Sequence, residues 1–513
     1  AKVDDVYGPE FESVIGVKQG DPLSPLLFGL FIDRFVTFLQ KRCPESDVLC
    51  DDVMIQSILY ADDMVLLSHD PTLLQKYLDI LGIFCEATGM NVNVGKSEIV
   101  VFFKQYLDPR WNGWTFSRKR VTESFEFVYL GVVFHANGIK SSIAKAVKRR
   151  AIKAKNALFV KMGICHGMKI YDPKILNKLF DGVVVPSALY GCEMWGPDVV
   201  NMAKDGLIYD TLEESQWLFL RMVLWVGKAT PHMCMLKEMG RELLILKCIE
   251  NAIAFWNKLA IKPTTCILGK AARENMAHVE QGWCNSITKM IGKVRTVANT
   301  TMTNEDGWLV PLPKKDIVQL FKSFLEAENI RKINHISDVT MGNVNGSAVR
   351  NCPDHIRCGF KQFKYTKWCA PNKDSEDADP VMFYIDDVYN IRILARFRCG
   401  MHWLATEKDR SEGSRSCRRC ICCTLGERED ELHLLFCDAY KSLRVGFPRV
   451  FMSEEYMNLR SAYEQGDSTI DALMNVFMNS RDDGFISDFV GYLRRSVKIR
   501  DDILHNMLNM PGC

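Results

Sequence analysis

Tyr60-Ala61-Asp62-Asp63 is the stretch of sequence from which the fold can first be inferred. It stands between two short apolar runs, Ile58-Leu59 and Met64-Val65-Leu66-Leu67. Two strands joined through adjacent carboxylates predict a β-hairpin with an acidic tip, which suits the binding of divalent metal ions against phosphates. Because adjacent aspartates also occur in ordinary solvated turns, the neighbouring sequence has to decide between the two interpretations.

The segments on both sides of the hairpin carry further patterns. Upstream, Ser24-Pro25 follows Gly16-Val17-Lys18-Gln19-Gly20-Asp21-Pro22-Leu23, and a serine N-cap with a first-turn proline is typical of a helix start. Downstream, a helix that ends at Gly89 is predicted by apolar side chains at helical spacing, namely Leu74, Tyr77, Leu78, Leu81 and Cys85. We expect a strand from Ile99 to Phe103, directly after Asn91-Val92-Asn93-Val94-Gly95-Lys96-Ser97-Glu98. The last motif of the set is Tyr129-Leu130-Gly131-Val132.

In order, spacing and content, these motifs resemble the reverse transcriptases of non-LTR retrotransposons, the LINE type. The resemblance is dense from residue 13 to about residue 135 and looser towards the C-terminus. It implies an α/β (α+β) fold, in which a partial polymerase palm is followed by a mainly α-helical thumb and C-terminal region. The expected divisions are a palm at 1–134, a helical thumb and connection at 135–300, an irregular linker or small module at 301–390, and a helical region with a small zinc-binding segment at 391–513.

The resemblance also implies a chemistry: an RNA-directed DNA polymerase that joins dNTPs to a DNA primer on an RNA template, with two Mg²⁺ (or Mn²⁺) ions. Asp62 and Asp63 would be the catalytic, metal-binding carboxylates. The substrates would be contacted by Gln19, Gly20, Tyr60 and Lys96, and the primer end would be gripped by Tyr129, Leu130 and Gly131. Asp21 and Ser24 are explained equally well as a turn residue and a helix cap.

One departure from the family pattern bears on activity. The family's first metal-binding aspartate lies on a strand well upstream of the Gln-Gly motif, but only eighteen residues precede Gln19, and Asp4 and Asp5 are too close to it. The chain also begins with Ala1. We therefore expect a C-terminal portion that is inactive alone. The alternative is a non-enzymatic retroelement remnant that binds nucleic acid through its basic thumb and zinc segment.

A basic segment follows Tyr129-Leu130-Gly131. No acidic residue occurs between Glu126 and Asp172, whereas lysine and arginine are frequent there. An apolar stripe, formed by Ile143, Val147, Ala154 and Leu158, predicts a helix with one buried face. The opposite, basic face would follow a phosphate backbone through Lys145, Lys148, Arg149 and Lys153, unless it is an ordinary solvated lysine face.

A cluster of cysteine and histidine lies near the C-terminus. Its best metal set is Cys420, Cys423, His433 and Cys437, because a Cys-x-x-Cys turn and a helix-spaced His and Cys can surround a tetrahedral ion. It resembles the Cys-Cys-His-Cys segment found late in many LINE reverse transcriptases, which implies structural Zn²⁺. Cys417 with Cys420 is an alternative first pair, and unliganded intracellular cysteines are the third interpretation.

Composition narrows the class of protein without fixing its function. The chain has 513 residues, a net charge of +2 and 19 cysteines. The charge does not itself indicate nucleic acid. No apolar run of membrane-spanning length and no secretory signal are visible, so we expect no membrane partner, with most cysteines reduced. The resemblance implies an intracellular protein, cytoplasmic and nuclear.

Overall fold

The computed structural model describes most of the chain, namely residues 2–3, 6–7, 16–17, 20–50, 52–102, 112–203, 210–263, 265–277, 282–294, 302–341, 365–369, 379–385, 387–400, 420–423, 427 and 429–508. It divides into two compact units. Unit 1 comprises Ala1–Ala146, Trp256–Ser286 and Thr301–Leu312. Unit 2 comprises Val147–Phe255, Ile287–Thr300 and Pro313–Cys513.

All the described strands belong to unit 1. In chain order they are β1 (Lys2–Val3), β2 (Val6–Tyr7), β3 (Leu49–Cys50), β4 (Val53–Met54), β5 (Ser57–Tyr60), β6 (Asp63–Leu66), β7 (Glu98–Ile99), β8 (Thr115–Phe116), β9 (Lys119–Arg120), β10 (Thr122–Glu123), β11 (Glu126–Tyr129) and β12 (Val132–His135). Consecutive strands pair as antiparallel hairpins, except that β7 pairs in parallel with β10. The strand expected at Ile99 to Phe103 is therefore shorter in the described residues.

Helices account for most of the remaining described residues. The first twelve are α1 (Ser24–Arg42), α2 (Pro71–Thr88), α3 (Ile139–Gly167), α4 (Pro173–Leu179), α5 (Val185–Leu189), α6 (Cys192–Met202), α7 (Asp210–Leu224), α8 (His232–Glu238), α9 (Leu244–Ala260), α10 (Ile267–Ala277), α11 (Trp283–Gly292) and α12 (Lys314–Met341). They are followed by α13 (Val388–Arg398), α14 (Glu431–Phe436), α15 (Lys441–Val445), α16 (Pro448–Phe451), α17 (Glu454–Gln465), α18 (Ile470–Met478) and α19 (Asp483–Leu508). A mixed α/β region followed by a mainly helical remainder agrees with the sequence-based expectation.

The start of α1 differs in one detail from the expected cap. Ser24 is the first helical residue, Leu23 holds the N-cap position, and no side chain caps the helix there. The reason is the preceding turn, in which the Leu23 backbone N–H donates to Asp21 Oδ1 at 2.8 Å and the Ser24 N–H donates to the Asp21 carbonyl at 3.2 Å. Asp21 is therefore an Asx-turn residue in this structure.

Helix α2 has the end that the sequence predicts. Gly89 lies at its C-cap with φ of 72°, a left-handed conformation that glycine adopts without strain. At the other end the Asp70 side chain accepts from the Thr72 hydroxyl and from the Thr72 N–H, and these hydrogen bonds lower the pKa of Asp70. The buried face of α2 packs on α1, with Phe35 and Phe84 in edge-to-face contact at 5.3 Å.

Unit 2 contains a buried charged network around Arg398. Its Nε donates to both carboxylate oxygens of Glu238, at 2.8 and 3.0 Å, and the Tyr365 hydroxyl donates to the same carboxylate at 2.7 Å. The guanidinium also donates to the backbone carbonyls of Cys369 and Met478. Because a buried charge needs partners for all its polar atoms, this one arginine fixes residues from α8, α13 and α18 together.

Two expectations for the second half of the chain differ from what the structure describes. The stretch 301–390, expected as an irregular linker or small module, includes the 28-residue helix α12. The two helices expected near the C-terminus are present as α18 and α19, but Val476, expected on the apolar face of α18, is 50% exposed. None of the helices in the described ranges has the length and apolar character needed to cross a bilayer.

Candidate functional site

The hairpin of β5 and β6 places two carboxylates at its tip. In its register Tyr60 lies opposite Asp63, and Leu59 lies opposite Met64. Leu59, Met64 and Leu66 pack on the core of unit 1, so the alternation of a strand turns Tyr60 and Asp63 to the other face. Tyr60 is 63% exposed, and Asp62 and Asp63 are also exposed. The tip is therefore open to a ligand.

Two polar side chains that were not identified from the sequence hold the base of this hairpin, namely buried Gln56 and half-buried Asp47. The Gln56 amide nitrogen donates to the carbonyls of Cys43 and Glu45, at 2.7 and 2.8 Å, which ties the strand start to the end of α1. Asp47 Oδ2 accepts from the backbone N–H groups of His69 and Asp70, at 2.6 and 2.7 Å. The start of β5 and the end of β6 are thus both held by hydrogen bonds. The apolar pattern that predicted the two strands does not predict these polar contacts.

The turn at the tip contains a strained residue. Ala61 has φ of 50°, a left-handed conformation that costs an L-residue with a Cβ about 1–2 kcal/mol. Glycine is the usual residue in such a position of a two-residue hairpin. Strained backbone of this kind persists where the surrounding structure determines it, and it often lies at functional sites.

A second hairpin lies beside the acidic tip. Leu130 and Gly131 form its turn, with φ of 47° and 77°, between β11 and β12. Burial raises the pKa of Tyr129, and the negative charge of nearby Asp63 raises it further. Within the described part of the chain the buried Tyr129 hydroxyl has no hydrogen-bond partner. The structure therefore brings the expected primer-grip tyrosine and one expected metal ligand into the same electrostatic environment.

Of the other residues expected to contact substrates, two are exposed and one lies outside the described residues. Lys96 ends a short 3-10 helix, Val94–Lys96, and is exposed. Gly20 is exposed with φ of 89°, whereas Gln19 lies outside the described residues. Among the residues that the structure describes, no third carboxylate converges with Asp62 and Asp63 closely enough to form a three-ligand metal group.

Helix α3 carries the basic segment on the expected amphipathic helix. Its predicted apolar stripe is buried, with Val147 at 1% and Leu158 at 1% exposure. The basic face is partly compensated by acidic residues distant in sequence, because Lys145 pairs with Glu126 and Lys155 pairs with Glu214. Lys148 and Lys153 are exposed and have no ion pair with any described residue. Arg149 is exposed as well.

The Cys-Cys-His-Cys set converges in unit 2. The ligand atoms of Cys420, Cys423, His433 and Cys437 all lie within 4.8 Å of one another. Cys420 Sγ is 3.8 Å from Cys437 Sγ, and Cys423 Sγ is 3.6 Å from His433 Nε2. Tetrahedral ligands around zinc, with a Zn–S distance of about 2.3 Å, are separated by about 3.7 Å, so these four residues fit a zinc ion. The alternative ligand Cys417 lies outside the described residues.

The thiols and the imidazole of the cluster shift one another's pKa values. Hydrogen bonding with Cys422 and Cys437 lowers the pKa of Cys420, and the same interaction with Cys420 raises the pKa of Cys437. Burial acts to lower the pKa of His433, but the neighbouring Cys420 and Glu427 raise it overall. Cys422, the remaining cysteine of the turn, has its Sγ 3.2 Å from the Tyr440 hydroxyl.

Three acidic residues near the cluster have separate roles. Asp430 caps α14 by accepting from the His433 N–H at 3.0 Å. Glu429 makes a buried, two-bonded pair with Arg500 of α19, at 2.7 and 3.0 Å. Glu427 Oε2 lies 2.7 Å from His433 Nδ1. Sequence reasoning did not single out Glu427, because Cys and His spacing gives no signal for a carboxylate that contacts the histidine.

Comparison with known proteins shows what the first part of the chain is similar to. Residues 7–134 match the family model described as reverse transcriptase (RNA-dependent DNA polymerase). The matched residues include the acidic hairpin and the hairpin of β11 and β12. The predicted resemblance to reverse transcriptases of LINE-type, non-LTR retrotransposons is confirmed.

Individual relatives are retroelement proteins. The chain is 38% identical over 82 residues (16% of the chain, 11% of the relative) to the Pol polyprotein from type-1 retrotransposable element R2 of Popillia japonica. It is 37% identical over 87 residues (17% and 8%) to that of type-2 element R2DM of Drosophila melanogaster. A transposon-derived protein of Caenorhabditis elegans is 29% identical over 148 residues, 28% of the chain and 49% of that protein. The chain thus spans about half the length of this relative and about a tenth of the R2 polyproteins.

Proposed function

We propose that this chain is a part of an RNA-directed DNA polymerase of a LINE-type retrotransposon, with nucleotidyl transfer at the tip of the hairpin of β5 and β6. The observation that carries the proposal is the pair Asp62 and Asp63, exposed at the tip of a hairpin inside the matched residues 7–134. Unit 1 would then be the palm, and the helical segment that starts with α3 would be the thumb.

Each residue near the tip has a proposed role. Asp62 and Asp63 would hold Mg²⁺, which when bound supplies charge stabilisation and lowers the pKa of the attacking 3′-hydroxyl. Tyr60, on the same open face as Asp63, would pack under the incoming nucleotide or primer. Lys96 would neutralise the leaving pyrophosphate, with Gln19 and Gly20 beside the template and nucleotide. Tyr129, Leu130 and Gly131 would hold the primer end.

The described residues do not by themselves complete a two-metal site. Two ions held between carboxylates need ligands from more than one strand, and no third carboxylate joins Asp62 and Asp63 in the described ranges. We therefore propose that the chain does not extend primers unless another segment contributes that ligand. The same observation supports the second candidate, a non-enzymatic retroelement remnant that retains nucleic-acid binding.

The hairpin assignment can be tested by metal binding as well as by activity. With purified chain, an RNA template and a DNA primer, we expect no extension in Mg²⁺ or Mn²⁺. Titration with Mn²⁺, followed by electron paramagnetic resonance, should show binding that Asp62→Asn weakens. Asp33→Asn, the same charge change on exposed helix α1, is the matched control and should bind as the unchanged chain does. Equal Mn²⁺ binding by Asp62→Asn would remove the hairpin as the metal site, and robust extension would show that a further carboxylate is present.

Nucleic-acid binding is proposed for the basic face of α3. Lys148, Arg149 and Lys153 are exposed at positions where each could neutralise one phosphate. Replacing all three with Gln should reduce affinity for any RNA–DNA duplex alike, and flatten the log–log salt slope by up to about 2.7 units, at about 0.9 per contact. The control is Lys228, Lys441 and Lys498 changed to Gln, three exposed lysines elsewhere in unit 2. Equal slopes for the two triple variants would leave the α3 charges as an ordinary solvated face.

Structural zinc is proposed at Cys420, Cys423, His433 and Cys437. The purified chain should contain one Zn²⁺, and Cys423→Ser should lose it, whereas Cys417→Ser should keep it. The opposite result would favour the alternative first pair, Cys417 and Cys420. Absence of stoichiometric zinc from the unchanged chain would remove the site.

A further inference from the structure

Glu427 contacts the imidazole of the Cys-Cys-His-Cys cluster on the side away from the thiols. His433 is buried, with 3% exposure, and both its ring nitrogens have neighbours. Nε2 faces Cys423 Sγ at 3.6 Å, and Nδ1 lies 2.7 Å from Glu427 Oε2. The ring therefore bridges the cluster on one side and a carboxylate on the other.

This contact determines which ring nitrogen can act as a metal ligand. A neutral imidazole carries one N–H donor and one lone pair, and an ionised carboxylate can only accept a hydrogen bond. Opposite Glu427, the proton belongs on Nδ1, which leaves the lone pair of Nε2 directed at the cluster. A metal-bound histidine commonly donates its second N–H to a carboxylate, which fixes the ring and raises its basicity as a ligand.

Glu427 is itself held next to the first thiol of the set. Its backbone carbonyl accepts from the Cys420 N–H at 2.8 Å. The side chain is 48% exposed, so its carboxylate reaches the buried ring from the solvent side. The nearby acids Glu429 and Asp430 are engaged elsewhere, with Arg500 and with the His433 backbone N–H.

We propose that Glu427 is the positioning residue of the zinc site, which fixes the tautomer and orientation of His433 so that Nε2 binds the metal. This inference rests on the zinc site proposed above. It predicts that Zn²⁺ affinity depends on the Glu427 side chain, although Glu427 does not itself bind the ion.

The test measures the Zn²⁺ dissociation constant of the full chain by competition with a chromophoric chelator. Glu427→Ala should raise it about 10- to 100-fold, while one ion still binds at saturation. Glu427→Gln keeps an oxygen acceptor in place and should have the smaller effect. Glu86→Gln, on an exposed position of α2, is the matched control and should leave the constant unchanged.

The variants separate a positioning role from a merely structural one. Both substitutions keep the backbone carbonyl that accepts from Cys420, so a loop that needed only this bond would bind zinc normally in either variant. Co²⁺ in place of Zn²⁺ gives a second readout, since the absorption bands of a tetrahedral site with three sulfurs and one nitrogen should change in Glu427→Ala and be preserved in Glu86→Gln. Unchanged affinity and bands in Glu427→Ala would overturn the role of Glu427 alone, and an unchanged chain without zinc would overturn the zinc site itself.

Discussion

Arg500 offers the sharpest test of how the C-terminal helix supports the segment that contains Cys420, Cys423, His433 and Cys437. The side chains of Arg500 and Glu429 are 4% and 2% exposed, and two hydrogen bonds of 2.7 and 3.0 Å join them. Arg500→Met removes the cation and leaves the Glu429 carboxylate buried without it. Breaking a buried pair by removing one partner costs about 3–5 kcal/mol, because the remaining charge is uncompensated.

The measurement is hydrogen exchange of the peptides from Asp483 to Leu508 at increasing urea, which reports the free energy of opening of this region. Arg500→Met should lower that free energy by about 3–5 kcal/mol. Adding Glu429→Leu to it should restore most of the loss, since two apolar side chains replace the pair without a stranded charge. Arg460→Met is the control, because it breaks the exposed Arg460–Glu464 pair and should cost about 0.5 kcal/mol or less.

A fall of less than about 1 kcal/mol in the free energy of opening for Arg500→Met would refute this reasoning. So would a double variant, Arg500→Met with Glu429→Leu, that is no more stable than Arg500→Met alone. Either result would mean that water reaches Glu429 once the arginine is gone. The buried pair would then contribute little to holding α19 against the segment that contains the cysteine and histidine cluster.

The remaining predictions concern the hairpin and a buried acid. Ala61→Gly should raise the local stability of residues 57–66, measured by hydrogen exchange, by up to about 1 kcal/mol, and Ala61→Val should lower it. Equal local stability in the two variants would contradict strain at φ of 50°. Asp47→Ala should loosen the same hairpin by about 1–3 kcal/mol, since it removes the acceptor of two backbone N–H groups, and unchanged exchange would exclude that anchor. Burial raises the pKa of Glu213 from 4.5 to about 8. Between these two pH values the folded state keeps a proton that the unfolded state releases. The free energy of unfolding of unit 2 should therefore fall as the pH rises from 4.5 to about 8. Glu213→Gln should remove this slope in urea titrations, and a slope that persists would assign it to other groups.

The features that sequence predicts well are those whose signal is local. The acidic hairpin follows from two apolar runs around Tyr60 to Asp63, and the end of α2 follows from Gly89, because period and turn chemistry act over a few residues. The spacing of Cys420, Cys423, His433 and Cys437 likewise predicted that these four residues converge, since a turn and one helical turn nearly fix their geometry.

Features that depend on distant partners were not predictable in this way. Glu126 is 19 residues from Lys145, and Arg500 is 71 residues from Glu429, so charge patterns along the chain do not show these pairs. The N-cap lies at Leu23, one residue before the expected Ser24, because Asp21 forms its own turn with the Leu23 backbone N–H. Glu427 was missed because an orienting carboxylate has no fixed spacing from the histidine it contacts.

The buried network around Arg398 has a consequence for the order in which the nascent chain can fold. Glu238 and Arg398 are 160 residues apart, and at roughly 5–20 residues per second this separation takes about 8–32 s to synthesise. Until Arg398 has emerged, the Glu238 carboxylate lacks the cation it has in the finished core, and burying it alone would cost several kcal/mol. The part of unit 2 that buries Glu238 should therefore close only after Arg398 has emerged from the ribosome.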